Sequence, residues 1–240
     1  MRNMKFILPI LLITLSFISC RKEPWRVWGK GDTIIEVRDI SGFSGIDLGI
    51  DGEVYYQQDS IYRVEISAQS NILSAIETEV QGGILKITSR ANLFHHKPII
   101  ITVYSPGMHL LTLSGSGNIY AQNGINSGSM DVSVTGSGNI SVQSLTAQNL
   151  DGKISGSGNI NIDGGSVSDE ELLISGSGNI DALELVSNTG NIKISGSGDV
   201  MVHVLQSMIV SISGSGDVKY RGTPAIETHM SGSGNLTHVN

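Results

Sequence analysis

From residue 114 to the C-terminus the phrase Ser/Thr-Gly-Ser-Gly-Asn/Asp recurs seven times, beginning at Ser114, Thr135, Ser155, Ser175, Ser195, Ser213 and Ser231. The intervals are 21, 20, 20, 20, 18 and 18 residues. A fixed period near twenty marks a solenoid, in which each repeat buries its apolar side only against its neighbours. A bare Gly-Ser tract would read as a flexible linker, but the flanks contradict that. The position before each phrase holds Leu113, Val134, Ile154, Ile174, Ile194, Ile212 or Met230, and the position after it Ile119, Ile140, Ile160, Ile180, Val200, Val218 or Leu236. Further apolar positions recur two residues out on both sides. Alternation at period two around a glycine bend describes two short strands meeting at a corner.

Stacked in register at ~4.8 Å per coil, seven such units make a prism roughly 30 Å long, with two or three parallel strands per coil. The fold class expected is therefore all-β: a parallel β-helix of about twenty-residue coils. Each column residue contributes on the order of 1.5–3 kcal/mol on burial before ordering entropy is subtracted, so a stack is stable where one repeat is not. The corner residues are Gly115, Gly117 and Asn118; Gly136, Gly138 and Asn139; Gly156, Gly158 and Asn159; Gly176, Gly178 and Asn179; Gly196, Gly198 and Asp199; Gly214, Gly216 and Asp217; and Gly232, Gly234 and Asn235. Glycine suits either a positive φ or a close backbone approach there. Asn tolerates the left-handed conformation, and the middle serine can bond to nearby backbone. Stacked Asn118, Asn139, Asn159 and Asn179 are positioned to form a side-chain ladder.

Residues 1–19 have the form of a secretory signal: Arg2 and Lys5, then an apolar run from Phe6 to Phe17. It ends at Cys20, the single cysteine, followed directly by Arg21-Lys22-Glu23. One cysteine cannot form an internal disulfide. Cleavage before Cys20 with lipid on its thiol is the expected outcome, as in the bacterial lipoproteins that this segment resembles. The remaining chain carries 13 basic against 22 acidic residues. Such a balance gives no grip on nucleic-acid phosphates, so the membrane partner is expected to be held by acyl chains instead.

Residues 20–31 read as a tether, with Trp25 and Trp28 placed either at the membrane interface or over the first strand. Residues 32–113 form an irregular N-terminal section and 114–240 the repeat section. Strands are expected around Ile34–Val37, Gly45–Leu48, Val54–Tyr56, Tyr62–Ile66, Ile84–Ile87 and Ile99–Val103. Asn71 to Val80 has helical spacing. The section as a whole is expected to cover the first coil and hide its edge, with a polar last coil as the other cap.

With its signal and cysteine, its strand-rich first half and the repeated Gly-Ser-Gly-Asn-Ile, the chain from about Ile35 to Asn240 resembles the auto-transporter adhesin family with the head GIN domain. The phrases at 114–119, 135–140, 155–160 and 175–180 carry the match most closely; later copies drift to Gly-Ser-Gly-Asp-Val and Gly-Ser-Gly-Asn-Leu. The resemblance implies a right-handed parallel β-helix, similar in shape to pectin lyases but without their catalytic residues.

No catalytic constellation is legible. Asp163, Asp181, Asp199, Asp217, Lys153, Lys193 and Lys219 are spread around the coil, and Lys193 and Asp199 fall on different sides of a corner. Exposed aromatic platforms favoured by sugars are limited to Tyr120 and Tyr220 in the repeats. Calcium β-rolls repeat every nine residues, unlike this chain, which leaves Asp199 and Asp217 as the only calcium candidates. No Gly-Lys-Ser/Thr occurs, which argues against nucleotide binding. His95-His96 and distant His109 lack convergent metal geometry. Asp32-Thr33-Ile34 and Asp59-Ser60-Ile61 match a short O-glycosylation acceptor pattern. The expected function is a non-enzymatic lipoprotein without cofactor or metal, on the outer membrane and exposed at the surface, serving adhesion or surface structure, with a host or cell-surface glycan or protein as partner. The alternatives are a glycan-binding or glycan-active β-helix, or a periplasm-facing scaffold or sensor component.

Overall fold

A computed structural model describes residues 25–240. Cys20 and the predicted signal lie outside the described residues. The chain is a parallel β-helix, as the period required. Its first half supplies β1 (Trp25–Trp28), β2 (Thr33–Arg38), β3 (Gly45–Leu48), β4 (Glu53–Gln58), β5 (Arg63–Gln69), α1 (Ser70–Leu73), β6 (Ile76–Gln81), β7 (Ile84–Ser89), β8 (Ala91–Phe94) and β9 (Ile100–Ser105). The repeats begin with β10 (Leu110–Leu113) and β11 (Asn118–Ala121).

One face, here face A, stacks the strand that precedes each corner. In space its order is β7, β3, β10, then Ser129–Val134, Leu145–Ile154, Gly165–Ile174, Ile180–Ile194, Val200–Ile212 and Ala225–Met230. Face B stacks the strand after each corner: β9, β4, β11, Asn139–Val142, Asn159–Ile162, and onward to Val218–Arg221 and Leu236–His238. A short third face runs through Ile125, Leu145, Gly165 and Leu185. Register is residue on residue: Leu113, Val134, Ile154, Ile174, Ile194, Ile212 and Met230 lie one above another. All but the last are buried, and the columns merge into one continuous core.

The corners show why glycine is required. None of the phrase glycines has positive φ; among the described glycines that conformation is taken by Gly31, Gly42, Gly82, Gly83, Gly124, Gly165 and Gly222. The reason is instead close approach. A Cβ on Gly158 would collide with the carbonyl oxygen of Gly138, and one on Gly178 with that of Gly158, and so along the column. The tightness has a cause: the N–H of each middle serine from Ser137 onward donates to the first glycine carbonyl of the preceding coil, at 3.0–3.3 Å. At the middle serine it is the backbone amide that ties corner to corner, while hydroxyls of first serines such as Ser175 and Ser195 reach the preceding coil's Ile154 and Ile174 carbonyls at 3.5 and 3.4 Å.

Asn is likewise not used for a left-handed bend. Asn118 Oδ1 accepts from the backbone N–H and Nδ2 of Asn139, both at 3.0 Å. Asn139 Oδ1 accepts from Asn159 Nδ2 at 2.8 Å, and Asn159 Oδ1 from Asn179 N–H at 3.0 Å and Nδ2 at 3.2 Å. The ladder passes into the acidic copies through backbone amides alone: Asp199 N–H to Asn179 Oδ1, Asp217 N–H to Asp199 Oδ1 and Asn235 N–H to Asp217 Oδ1, each 2.8 Å.

The first half departs from expectation in three ways. Residues 45–58 are not a cover but a full coil, whose corner Gly49-Ile50-Asp51-Gly52 lies beneath Ser114-Gly115-Ser116-Gly117. The coil outside it comes later in the chain, from β7 and β9, so spatial order departs from chain order. The helical spacing of Asn71 to Val80 yields helix only over Ser70–Leu73. From Ile76 the chain is strand, because β6 pairs antiparallel with β7 and closes face A at this end. The part of the tether that is described is also ordered: β1 pairs parallel with β8, with Gly29 N–H bonded to Phe94 O. At the other end Ala225–Met230 and Leu236–His238 each pair on one side only.

Candidate functional site

On face A, strict alternation sends every second side chain outward. Two outward columns stand side by side: Ser129, Asn149, Asp169, Thr189 and Ser207; then Asp131, Asp151, Glu171, Asn191 and Ile209. Between them runs a groove of about 510 Å³ with Leu150, Glu170 and Gly190 along its floor. Five coils border it, so it extends roughly 19 Å along the solenoid axis.

The walls are polar and acidic. Thr189 Oγ1 donates to Asp169 Oδ1 at 2.5 Å, Lys153 Nζ to Asp151 Oδ2 at 2.8 Å, and Lys193 Nζ to Glu171 Oε1 at 3.1 Å. Three side-chain atoms among the described residues are buried without a hydrogen-bond partner: Asp151 Oδ1, Glu170 Oε2 and Asn191 Oδ1. All three belong to residues that border this groove. Buried polar atoms are normally paired, so three on consecutive coils of one surface mark it as a place suited to a ligand that offers hydrogen-bonding groups.

Glu170 is the unusual member. It occupies the inward column Met130, Leu150, Glu170, Gly190, Met208, yet is only 3% exposed. Its carboxyl extends toward the space left by Gly190 and accepts from Ser187 Oγ at 2.9 Å. Burial pushes its pKa up to about 8, against a smaller downward pull from the Ser187 hydrogen bond. Glu170 therefore carries its proton at neutral pH.

The sequence candidates are dispersed. Lys153 and Lys193 stand outward on face A beside the groove, Asp181 and Lys219 stand outward on face B, and Asp163 lies exposed beyond Asn159–Ile162. Asp199 and Asp217 stack in the corner ladder. Tyr120 stacks on Tyr55 with centroids 5.2 Å apart, so each ring turns a face to the other; Tyr220 packs edge-on against His238. His95 stacks on Trp28 and His96 Nδ1 meets Lys97 O, so the pair diverges. No group of three or more His, Cys, Asp or Glu suited to a metal ion occurs among the described residues. Thr33 and Ser60, in the two acceptor-like triplets, are both exposed. No described helix is long and apolar enough to cross a membrane.

The groove was missed in the sequence, although a signal was present. Counting four back from Thr135, Ser155, Ser175 and Ser195 gives Asp131, Asp151, Glu171 and Asn191, and counting five back gives Met130, Leu150, Glu170 and Gly190. The repeat that revealed the core also encodes this wall and floor.

Known proteins agree with the architecture. The chain is similar to the crystal structure of a putative adhesin from Bacteroides fragilis, at 27% identity and TM-score 0.85, covering 89% of this chain and 100% of that one. A structure from Parabacteroides distasonis described as a putative lipid binding protein matches at 26% identity and TM-score 0.71, covering 90% and 100%. A putative adhesin from Parabacteroides merdae shares the fold at 22% identity and TM-score 0.72, covering 90% and 99%. No curated protein matches. The family model described as putative auto-transporter adhesin, head GIN domain, matches residues 42–224, which includes the coil at 45–58 as well as six of the seven phrases. The chain belongs to that head GIN domain family.

Proposed function

We propose that this is a non-enzymatic envelope lipoprotein, anchored at Cys20 in the outer membrane and exposed at the cell surface, that works in adhesion by presenting its face A groove to a glycan or protein. The observation that carries the reading is the set of three unpartnered polar atoms bordering one groove, with Asp151 Oδ1 and Asn191 Oδ1 as acceptors and the protonated Glu170 Oε2 as a donor. Hydroxyl-rich ligands, whose O–H groups both donate and accept, supply the partners those atoms lack. Family membership supports a place at the cell surface or in the envelope. The test is glycan-array and cell-binding measurement with the mature protein. Binding weakened at least tenfold by Asn191→Ala, with thermal stability unchanged, supports the groove. Binding indifferent to Asn191→Ala and to Asp151→Ala rejects it. Protease shaving of intact cells separates surface display from a periplasm-facing scaffold, which survives the treatment.

One observation favours a glycan-active alternative. A carboxylic acid kept protonated at neutral pH is the form a general acid takes in glycoside cleavage, and Glu170 has that form beside four other carboxylates. That reading predicts turnover of a bound glycan that Glu170→Gln abolishes. Binding without turnover returns the assignment to adhesion.

A further inference from the structure

The two ends of the solenoid differ in a way that the adhesion reading does not use. Beyond β9 on face B lie β5 and then β2; beyond β3 on face A lie β7 and then β6; beside the corner 49–52 lies β8 and then β1. β1, β2 and β6 thus form the N-terminal end. Two of them carry an unusual load of exposed apolar side chains. Trp25 is 77% exposed and Trp28 57%, while Ile34, Ile35 and Val37 are 49%, 70% and 59% exposed. Apolar side chains this exposed on two elements of the same end mark an interaction surface.

Chain length and charge both point to a membrane as the occupant. Trp25 is five residue steps from Cys20. Fully extended they reach at most about 17 Å, less than the length of the repeat prism. If acyl chains hold Cys20 in a bilayer, this end must lie at its surface. Charge agrees: from Arg21 to Arg38 the chain has five basic and three acidic residues, but from Asp39 onward eight basic and nineteen acidic. The rest of the molecule is repelled by anionic lipid while this end is not. Tryptophan is favoured where headgroups meet acyl chains.

We propose that the N-terminal end of the solenoid, through Trp25, Trp28, Ile34, Ile35 and Val37, rests in the headgroup layer of the membrane that holds the acyl chains. The inference rests on the lipid anchor proposed at Cys20. Contact stays interfacial, because the outer edge of β2 carries unpaired backbone groups that hydrocarbon does not tolerate. Glu77 and Glu79, exposed on β6, face away from anionic lipid, so the solenoid leans onto its β1–β2 side. The C-terminal end then points away from the membrane and the face A groove stands clear of it.

The chain offers its own probe, since its only two tryptophans are both in β1. The mature lipidated protein is reconstituted into vesicles of phosphatidylethanolamine and phosphatidylglycerol, with and without brominated acyl chains. Flotation and tryptophan emission are then read together. The expected result is co-flotation, emission shifted to shorter wavelength, and quenching by bromolipid. Trp28 stacks on Phe94 and His95, with ring centroids 5.7 and 4.7 Å away, so Trp28→Phe should quench more completely than Trp25→Phe. Replacing Ile35 and Val37 with Glu should lessen quenching without loss of flotation. Flotation with unquenched, water-exposed emission overturns the proposal and leaves the anchor standing. A shift to shorter wavelength without quenching means that protein covers the patch, and also overturns it. A protein that does not float lacks the anchor, and the proposal fails with it.

Discussion

Glu170 shows how one residue sets a cost that the rest of the column must carry. Its ordinary pKa of 4.5 is raised to about 8 in the folded chain. Between those values the folded state binds more protons than the unfolded state. Stability therefore falls as pH rises from about 4.5 to about 8, by up to ~1.4 kcal/mol per pH unit, and the cost is complete above pH 8. Glu170→Gln keeps a partner for Ser187 and cannot ionise, so it should flatten this slope and raise stability at pH 8 by roughly 2 kcal/mol or more. Denaturant titrations of both proteins at pH 5 and pH 8 give the answer; equal slopes would show that Glu170 is solvated. A second single-residue test concerns the corners. Gly158→Ala places a Cβ against a carbonyl oxygen that cannot retreat without breaking the corner ladder, and should cost at least ~3 kcal/mol or prevent folding. Gly107→Ala meets nothing within 4 Å at an ordinary φ and should change stability by no more than about 0.5 kcal/mol. The sequence shows that glycine is needed at these corners but not which of its two properties is used. Both demands leave the same letter in the chain, and only the spacing of stacked carbonyls separates them.

At the scale of the element, the asparagine ladder joins strands that alternate donors and acceptors along the axis. Asn159 takes part on both sides, donating from Nδ2 to Asn139 Oδ1 and accepting the N–H and Nδ2 of Asn179. Asn159→Ala should therefore destabilise the fold by about 1–3 kcal/mol, because it strands groups above and below. Asn159→Asp should cost less, since Oδ1 still takes the backbone N–H as Asp199 does for Asp217. Thermal unfolding of the two variants ranks them, and an Asp variant as damaged as the Ala variant would count against the ladder. This element was legible: the phrase fixes Asn118, Asn139, Asn159 and Asn179 at one register, and the register is what the ladder needs. The coil at 45–58 was not legible. Its corner Gly49-Ile50-Asp51-Gly52 keeps glycine at the two ends rather than at the second and fourth positions. Its neighbours β7 and β9 come from thirty or more residues later, so no local period announces the stack. The spacing of Asn71 to Val80 misled for a related reason. Ile76 is buried and Val80 half-buried because β6 lies along β7, a contact made by pairing and invisible to helical spacing.

The whole molecule is a stack whose stability is close to a sum of coils and of the interfaces between them. Its ends are unequal. At the N-terminal end β6 and β2 reverse direction, α1 tucks Ile72 and Leu73 beneath them, and Arg38 ties β2 to Thr78 and to the Leu73 carbonyl at 2.9 and 3.3 Å. At the other end Ala225–Met230 is exposed along its length and has a partner on one side only. Its Ile226 and Met230 continue the core columns but have no coil beyond to cover them. The last interface therefore buries less apolar area per residue than any inner one, and local opening there should need the least free energy. Amide exchange should be fastest in Leu236–His238 and Ala225–Met230, slower in Val200–Ile212, and slowest in Leu145–Ile154 and Gly165–Ile174, which are paired on both edges. The gradient separates a stack from a globule, because a single cooperative core would exchange these amides together. If the final coil exchanges as slowly as the central ones, either another surface covers that end or the coils do not behave as separate units.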